Sequence, residues 1–582
     1  MTPRSLLLRM TRRSGGWVVL LALTAVTGAV AETALPAVVG RTVDAALYRT
    51  ATGPGARAVL GGLAGPGGWL TVLAALLVVI VGCEAFGQLA TGTTAASATS
   101  WLRRSLLRHV LFTGPKLTRR YPAGDLVSRI IGGAADAGGA PAGLALAAAA
   151  LIPPAGAVAA LVLIDPWLAV TLGTGFPLLA LMLRGFVRDT SEVVTRYQQA
   201  QGAIAARLLE ALAGARTIAA AGTCDQEIVR VLSPLRELRA RGDQTWRIQG
   251  RVAAQGALLL PILQVLVLAV GGLALAARRI SPGELLAASQ YAVLGAGGGA
   301  AIAHLGRLAR ARAGAGRAAE LLAEREPRYG TRSLPAGRGL VEFRSVVVRA
   351  GGETVLDQLD LAVPAGTLVA IVGRSGAGKS MLAALAGRLA DPDEGEVRLD
   401  GVKLTALTRA ALRDAVQYAF ERPSLLGATV ADAIGFGGAT VPRRGIVSAA
   451  RAASADAFVR RLPAGYETAL TRAPMSGGEV QRLGLARAFA HADGARLLIL
   501  DDATSSLDTI TEMQVSGALT GEFGARTRMI VAHRASTAAR ADLVAWLDQG
   551  RLRGCAPHRE LWADPGYRAI FDPGAGAAAA AR

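Results

Sequence analysis

The feature that most constrains this chain is a series of long apolar stretches confined to its first half. Each stretch is about 17–25 residues long, enough for a helix to cross about 30 Å of hydrocarbon. Together they predict six transmembrane helices in a membrane domain that is entirely α-helical. The predicted spans are residues 17–39, 69–90, 142–164, 167–183, 252–276 and 285–305.

The start of the chain resembles a secretory signal peptide, because arginines precede the first apolar stretch and a small-residue site follows at 29–31. The apolar stretch continues past that site, and comparable stretches follow it. We therefore expect a retained first span with a cytoplasmic N-terminus, as the positive-inside rule requires. The arginines are Arg4, Arg9, Arg12 and Arg13.

The segments between the predicted spans are unequal in length and charge. The turn at Asp165–Pro166 is tight, whereas segments 91–139 and 184–251 are long, rich in arginine and helical in period. Basic segments stay in the cytosol, so we expect both long segments to be cytoplasmic and the tight turn to face outward. The membrane domain is then predicted to span residues 1–325.

The second half of the chain has the alternating strand and helix signals of an α/β domain. We predict a polar linker at 326–339, an α/β domain at 340–574 and a disordered, alanine-rich tail at 575–582.

A formal net charge of +20 is typical of proteins that bind nucleic acid, but basic residues on cytoplasmic loops also set membrane topology. We therefore expect a protein of a bacterial inner (plasma) membrane, with the lipid bilayer and no nucleic acid as partner. A soluble nucleic-acid ATPase would require the apolar stretches to pack inside a globule. The three cysteines are far apart in sequence and show neither metal nor redox spacing.

Polar side chains inside the predicted spans mark a possible substrate cavity. They are Glu32 and Glu84, with Gln264 as a weaker position. A carboxylate in hydrocarbon costs on the order of 3 kcal/mol unless it faces water or a partner. The functional interpretation is a cavity that favours cationic or amphipathic cargo, and the alternative is pairing within the helix bundle.

The sequence Gly373-Arg-Ser-Gly-Ala-Gly-Lys-Ser380 is a phosphate-binding loop between an apolar strand and a helical pattern. Its glycines let backbone N–H groups approach phosphate, and the helix N-terminus favours negative charge. We therefore predict ATP as a cofactor with Mg²⁺ beside it. The predicted ATP contacts in the loop are Gly373, Arg374, Ser375, Gly376, Ala377, Gly378, Lys379 and Ser380.

A hydrophobic strand, Leu497–Asp501, ends in a carboxylate suited to Mg²⁺. The predicted metal ligands on these two motifs are Ser380 and Asp501.

Several further segments resemble, in order, those of the ATP-binding cassette (ABC) exporters. The quoted segments are 121–130 (YPAGDLVSRI), 210–218 (EALAGARTI), 475–482 (MSGGEVQR), 505–508 (SSLD) and 531–533 (VAH). The resemblance covers nearly the whole chain and implies an exporter half-transporter, with a six-helix membrane domain followed by an ABC-type α/β ATPase domain. It also implies that the cytoplasmic segments 91–139 and 184–251 are coupling segments.

The same resemblance assigns roles to residues outside the phosphate loop. It implies that the signature of one subunit contacts ATP held by the partner subunit, and it makes Asp508 the D-loop aspartate. It also implies that His533 contacts the γ-phosphate. The signature residues are Ser476, Gly477, Gly478 and Glu479.

The chain departs from the family pattern around its own phosphate loop. Asp502 stands where the family has a catalytic glutamate, and Glu421 stands where it has a glutamine that lies near Mg²⁺. The resemblance therefore implies that Glu421 contacts ATP and Mg²⁺. The adenine-stacking aromatic is missing, which leaves Arg349 as a possible substitute. The acidic stretch that usually precedes the signature is also reduced. These departures predict slow hydrolysis at this chain's own site, with Asp502 and His533 as its catalytic residues, and favour a heterodimer with a second half-transporter.

The predicted function is ATP-driven export of a small-molecule, lipid or peptide-like cargo. The alternatives are a homodimeric multidrug or lipid exporter with full turnover, or an ATP-gated membrane protein with little hydrolysis. The sequence does not identify the cargo.

Overall fold

The computed structural model of the chain describes residues 2–47, 66–175, 200–295, 298–438 and 440–571, with positions 177, 193, 196 and 197. Contacts divide the chain into two compact units. The first comprises Met1–Leu111 and Tyr121–Arg325, and the second comprises Phe112–Arg120 and Glu326–Arg582. The predicted tail at 575–582 and the later part of the predicted span at 167–183 lie outside the described residues.

The first unit is built from helices throughout the residues described in it. Residues 200–213 are also helical. The helices are Pro3–Arg13, Gly16–Leu47, Pro66–Thr113, Ala123–Ser128, a π-turn at Arg129–Gly133, Ala134–Gly138, Ala140–Ala149, Ile152–Ile164, Pro166–Gly173, Ala215–Ala221, Cys224–Leu232, Leu235–Ala276, Pro282–Gly295 and Gly298–Ala323.

Local sequence explains where several of these helices begin and end. Proline occupies the first position of four of them, where its missing N–H costs nothing and its fixed φ suits the helix. The tight turn at Asp165 ends one helix with an extended backbone, at φ −158° and ψ 123°. Its carboxylate then caps the next helix by accepting from the Trp167 N–H at 2.9 Å. It also pairs with Arg279 in a neighbouring turn of the same unit.

Three helical stretches of the described residues are long and apolar enough to cross a membrane. They are Gly16–Leu47, Gly67–Thr113 and Ala123–Ile164, and a shorter apolar helix covers Pro261–Ala276. Few residues in their most apolar windows are buried within the chain. Apolar side chains that face outward in this way suit contact with lipid or with a partner subunit. The bounds of the six predicted spans remain predictions.

Two helices of this unit approach each other closely through glycine. A Cβ atom built on Gly283 would lie 2.0 Å from the main-chain oxygen of Gly40, so neither backbone could come this close with a side chain between them. Next to this crossing, Asp44 Oδ1 accepts from the Gly283 N–H at 2.8 Å, and Asp44 Oδ2 accepts from the Ser281 hydroxyl at 2.5 Å. The first span helix is thereby fixed to the start of Pro282–Gly295.

The described residues of the second unit form ten strands in two sheets. The strands are β1 (Val341–Ala350), β2 (Glu353–Val363), β3 (Leu368–Gly373), β4 (Glu394–Leu399), β5 (Val402–Lys403), β6 (Val416–Phe420), β7 (Leu497–Asp501), β8 (Thr527–Val531), β9 (Leu543–Asp548) and β10 (Arg551–Ala556).

The helices of this unit surround the two sheets. The α-helices are Pro115–Arg120, Lys379–Ala386, Arg409–Ala415, Val430–Ile434, Arg443–Ala452, Asp456–Val459, Gly477–Ala490, Thr509–Thr520, Ala535–Ala538, His558–Leu561 and Pro565–Phe571, and the 3₁₀ turns are Leu404–Ala406, Gly465–Glu467, Leu470–Arg472 and Ala492–Gly494.

The smaller sheet is antiparallel, in the order β2-β1-β4-β5. The larger sheet has the order β10-β9-β3-β8-β7-β6, with parallel pairing from β9 to β6 and an antiparallel edge strand, β10. Parallel strands need covering on both faces. The carboxyl ends of β3 and β7 lie at the same edge, separated by β8, which is where ligands bind in open α/β sheets.

Two apolar cores cover the faces of the larger sheet, as the period-2 alternation of strand side chains requires. Ile371 and Ile499 point into the core shared with the antiparallel sheet. Val372 and Leu500, their chain neighbours, point into the core shared with the helices that follow β6. The strand ends are therefore held rigidly from both sides.

Candidate nucleotide site

The phosphate-binding loop connects β3 to the helix Lys379–Ala386. Every residue of β3 is buried, so the start of the loop is fixed by the sheet. Gly376 and Gly378 have φ values of +82° and +95°, which glycine adopts without strain. At Gly378 a Cβ atom would also lie 2.7 Å from the Leu356 side chain. Ala377 is buried between them, whereas Arg374, Ser375 and Ser380 are exposed.

The ammonium group of Lys379 lies inside this loop. Its Nζ donates to the main-chain oxygens of Gly373 at 2.9 Å and Arg374 at 3.1 Å, and the residue is only 7% exposed. Burial lowers the pKa of this ammonium, and the nearby carboxylates of Asp502 and Asp501 oppose that shift. The cation is therefore positioned to exchange two neutral carbonyl contacts for contact with phosphate.

The carboxylate of Asp501 fits the role of a Mg²⁺ ligand. Its Oδ2 accepts from the Tyr418 hydroxyl at 2.8 Å, while its buried Oδ1 has no hydrogen-bond partner. Burial raises the pKa of Asp501, and hydrogen bonds from Tyr418 and Ser380 oppose the rise. A buried, unpartnered carboxylate oxygen beside a serine hydroxyl is a donor set that Mg²⁺ prefers.

Asp502 and His533 are brought together although 31 positions separate them in the chain. The Asp502 Oδ2 and His533 Nε2 atoms lie 2.8 Å apart at the ends of β7 and β8. Asp502 has a φ of +52°, in the left-handed region that aspartate tolerates better than most residues. The position that the sequence predicts as a general base is thus paired directly with the predicted switch histidine.

Two predicted nucleotide residues contact neighbours within the chain. On the antiparallel sheet, Arg349 Nη2 donates to Glu394 Oε1 at 2.6 Å. This hydrogen bond directs the Arg349 guanidinium toward a carboxylate. Glu421 is half-exposed and lies 3.6 Å from Arg422 Nε. Burial is the main cause of the raised pKa of Asp501, and the negative charge of Glu421 adds to it. The assignment of Arg349 and Glu421 to ATP stays a prediction.

The signature segment forms the start of the helix Gly477–Ala490. Ser476 caps it by accepting from the Glu479 N–H at 3.3 Å, and the Glu479 carboxylate accepts from the Ser476 N–H at 2.8 Å. These reciprocal bonds form a capping box, which also lowers the pKa of Glu479. Gly477 and Gly478 expose the first turn of backbone, as contact with an anion requires.

The D-loop leads into the helix Thr509–Thr520. Asp508 caps this helix by accepting from the N–H groups of Ile510 at 3.0 Å and Thr511 at 2.9 Å. These bonds hold the pKa of Asp508 below its usual range. The position predicted for the D-loop aspartate is therefore also a structural cap.

Two buried polar residues of this unit were missed by the sequence analysis. Glu512 is 5% exposed and accepts from Arg534 Nη1 and from the Thr537 hydroxyl, both at 2.5 Å. It joins the D-loop helix to the segment directly after His533. Gln481, on the signature helix, is 1% exposed and contacts two separate loops, one at Glu421 and one at Asp502 and Ser506. A glutamine or glutamate on a helix gives no sequence signal for such contacts, because the partners are distant in the chain.

The polar residues predicted for a cargo cavity lie in the membrane unit. Glu32 and Glu84 are exposed on the helices Gly16–Leu47 and Pro66–Thr113, and Gln264 is half-buried. The two helices touch near the glutamates, because a Cβ built on Gly28 would lie 3.3 Å from Cys83 Cβ. The placement of these residues in a cavity stays a prediction.

Comparison with known proteins agrees with this arrangement. The model of the family described as "ABC transporter transmembrane region" matches residues 18–295, and that of the "ABC transporter" ATPase family matches residues 356–505. The chain is 51% identical over 557 residues to the "ABC transporter ATP-binding protein RamA" of Streptomyces coelicolor. That match covers 96% of this chain and 85% of RamA.

Two further likenesses are more distant. An "ATP-dependent lipid A-core flippase" of Alkalilimnicola ehrlichii is 39% identical over 249 residues, 42% of each chain. A solved structure described as a bacterial Atm1-family ABC exporter with ATP bound has a TM-score of 0.79 at 24% identity and covers 97% of this chain and 98% of its own, which shows the shared fold.

These matches confirm the fold class predicted from the sequence, a helical membrane domain followed by an α/β phosphate-loop ATPase domain. The chain therefore belongs to the ATP-binding cassette transporters and is an exporter half-transporter, whose hydrolysis of ATP is coupled to transport.

Proposed function

We propose that the chain exports a small-molecule, lipid or peptide-like cargo from the cytosol across a bacterial inner membrane. The observation that carries this proposal is the joining of membrane-length apolar helices and an ATP-binding loop in one polypeptide. The arginines that precede the first span favour a cytoplasmic N-terminus and, with it, a cytoplasmic ATPase domain. Closure of two ATPase domains around ATP then turns the membrane cavity outward, and hydrolysis resets it.

Mg²⁺ is the proposed companion of ATP. The Ser380 hydroxyl and the Asp501 carboxylate would hold it, because Asp501 Oδ1 is buried without a hydrogen-bond partner. The ion would supply charge neutralisation at the phosphates when bound. Glu421 adds a further negative charge beside this position, so it is proposed as a neighbour of the metal.

The site on this chain's own phosphate loop is proposed to hydrolyse ATP slowly. A general base must lie within hydrogen-bond reach of the attacking water. Asp502 is one methylene shorter than glutamate, and its carboxylate contacts His533 at 2.8 Å. A shorter side chain held by that contact reaches less far toward water, which supports a low rate at this site.

The partner is proposed to be a second half-transporter that carries a catalytic glutamate. The signature of this chain keeps Ser476, Gly477 and Gly478, so it can complete a competent site on that partner. A homodimer is the alternative assembly, in which both ATP sites would contain Asp502.

The rate proposal is tested by Asp502→Glu in the purified chain, with Asp502→Asn as the matched control. We expect the steady-state ATPase rate to rise about tenfold or more in Asp502→Glu, since a well-placed general base contributes about 10²–10⁴-fold. Asp502→Asn should lower the residual rate. Full turnover by the wild-type homodimer, together with no gain in Asp502→Glu, would refute both the slow site and the heterodimer.

The cargo is proposed to carry a positive charge or an amphipathic cation. Glu32 and Glu84 lie on touching helices, and Gln88 Nε2 donates to Glu84 Oε1 at 3.2 Å, which leaves the other carboxylate oxygen for a ligand. Gln264 is proposed as a further polar contact. Glu32→Gln and Glu84→Gln should reduce ATP-driven uptake of a fluorescent cationic amphiphile into inside-out vesicles and leave uptake of a neutral lipid analogue unchanged.

Vesicle transport also separates pumping from ATP gating. Uptake against a gradient should require hydrolysable ATP and should be lost in Lys379→Ala. Passive movement that a non-hydrolysable ATP analogue supports equally well would instead favour an ATP-gated membrane protein.

A further inference from the structure

The side chain of Gln481 lies between two loops around the nucleotide site, the loop after β6 and the loop after β7. Its Nε2 donates to the main-chain oxygens of Glu421 and Asp502, each at 3.1 Å, and contacts the Ser505 hydroxyl at 3.2 Å. Its Oε1 accepts from the Ser506 N–H at 3.0 Å. The residue itself belongs to the signature helix Gly477–Ala490, one turn after Gly478.

These contacts require an amide in one orientation. The Glu421 and Asp502 partners are carbonyl oxygens, which only accept, and the Ser506 partner is an N–H, which only donates. A carboxamide has both a donor and an acceptor end, whereas a glutamate or a methionine of similar shape has no donor. Since the Gln481 side chain is only 1% exposed, an unmatched polar atom at its end would remain unsatisfied.

The contact with Asp502 bears on catalysis because that residue has an unusual backbone. Its φ is +52°, and such conformations persist only where the surroundings hold them. The Asp502 carbonyl accepts from Gln481 Nε2 and from the Ser505 N–H at 3.1 Å. The peptide that directs the Asp502 side chain toward His533 is thus held by the Gln481 amide.

We propose that Gln481 is a positioning residue, which holds Asp502 and the D-loop in register with the signature helix. In this role Gln481 links the signature, which would contact ATP held by the partner subunit, to the Asp502 carboxylate of the chain's own site. This inference rests on the ATP-hydrolysing role of Asp502 proposed above. Gln481 itself touches neither ATP nor the attacking water in this scheme.

The first test is hydrogen exchange in the full-length, nucleotide-free protein, which needs no turnover. In Gln481→Met, peptides that contain the Ser506 amide should exchange about tenfold faster than in the wild type, while peptides of the phosphate loop should not change. Gln481→Glu should show a larger effect than Gln481→Met, because it places a carboxylate against two carbonyl oxygens. The matched control is Gln417→Met, which removes the 2.8 Å bond from another amide to Arg413 O.

The second test is an ATPase double-mutant cycle with Asp502→Ala. Gln481→Met should lower kcat about tenfold with little change in KM, and it should have no further effect once Asp502 is alanine. Equal losses in both backgrounds, or exchange that rises uniformly across the ATPase domain, would overturn the proposal. Loss of folded protein in every Gln481 variant, with a normal Gln417→Met, would make the residue generally structural and would also overturn it.

The two tests separate this inference from the function on which it rests. If the protein proves to have no ATPase activity, the exchange experiment still decides whether Gln481 holds the loop after Asp502. If hydrolysis is normal and exchange at Ser506 is unchanged in Gln481→Met, the positioning role fails while the proposed transport function stands.

Discussion

Replacing Glu512 should destabilise the ATPase domain and uncouple two of its loops. This carboxylate is buried on the D-loop helix Thr509–Thr520, and it accepts from Arg534 and from the Thr537 hydroxyl. Because Arg534 directly follows His533, the pair of bonds positions the start of the switch segment. The informative changes are Glu512→Ala and Glu512→Gln.

The magnitude follows from the burial of each partner. In Glu512→Ala the Thr537 hydroxyl, which is 8% exposed, loses its acceptor, and an unsatisfied buried polar group costs about 1–3 kcal/mol. The Arg534 side chain is 47% exposed, so water replaces that contact and the further loss is about 0–1 kcal/mol. The expected total is about 1–4 kcal/mol, with a central value of about 2–3 kcal/mol. Glu512→Gln keeps an oxygen acceptor and loses only the charge, so about 1 kcal/mol is expected.

Thermal unfolding of the full chain in detergent measures this difference. The unfolding transitions can be followed by differential scanning calorimetry. A change of 1 kcal/mol shifts Tm by about 2–4 °C in a domain of the size of the ATPase domain. Glu512→Ala should therefore lower Tm by about 5–10 °C and Glu512→Gln by about 2–4 °C. Glu522 is exposed and lies just after the helix Thr509–Thr520. It provides the control Glu522→Ala, which should leave Tm unchanged.

The ATPase rate provides a second measurement on the same proteins. If Glu512 holds the segment after His533, the rate per folded molecule should fall further in Glu512→Ala than in Glu512→Gln. A Tm for Glu512→Ala within about 1 °C of the wild type would show that the buried bonds contribute no net stability, and the reasoning from burial would be refuted.

Three further outcomes are expected. Lys379→Ala should weaken binding of a fluorescent ATP analogue about 10²–10³-fold, because it removes two or more charge-assisted contacts, and a dissociation constant within about threefold of the wild type would contradict this. Tyr418→Phe removes a hydrogen bond that opposes the raised pKa of Asp501, so the pKa of Asp501 should rise further in this variant. On acidification, the Mg²⁺-dependent ATP affinity of the variant should therefore begin to fall at a higher pH than that of the wild type. Identical pH profiles for the two proteins would contradict this prediction. Gly283→Ala places a Cβ 2.0 Å from a main-chain oxygen of the adjacent helix and should lower Tm and yield, whereas Gly272→Ala, with nothing within 4 Å, should be tolerated.

The fold class and the phosphate loop could be predicted because their signals are local. The length of an apolar stretch decides whether a helix can cross a membrane, and this needs no knowledge of neighbours. The loop Gly373–Ser380 likewise carries its glycines, its lysine and its serine in one run of sequence. The order of the motifs after it then indicated the exporter family, which the comparisons confirmed.

The contacts around the site could not be predicted, because they join residues that are distant in sequence. Gln481 lies 60 positions from Glu421 and 21 from Asp502, and Glu512 lies 22 from Arg534. A helical pattern assigns such side chains only to a face of the helix. It does not say which loop meets that face.

The sequence by itself determined which chemistry this protein carries, namely an ATP-binding loop and acids suited to Mg²⁺ on a chain that spans a membrane. The tertiary structure decided how those groups are held: it pairs Asp502 with His533, leaves one oxygen of Asp501 buried without a hydrogen-bond partner among the described residues, and encloses the amide of Gln481 between two loops. The physical reason is that residue type and spacing are properties of the chain, whereas burial and hydrogen-bond partners arise only when distant segments pack together.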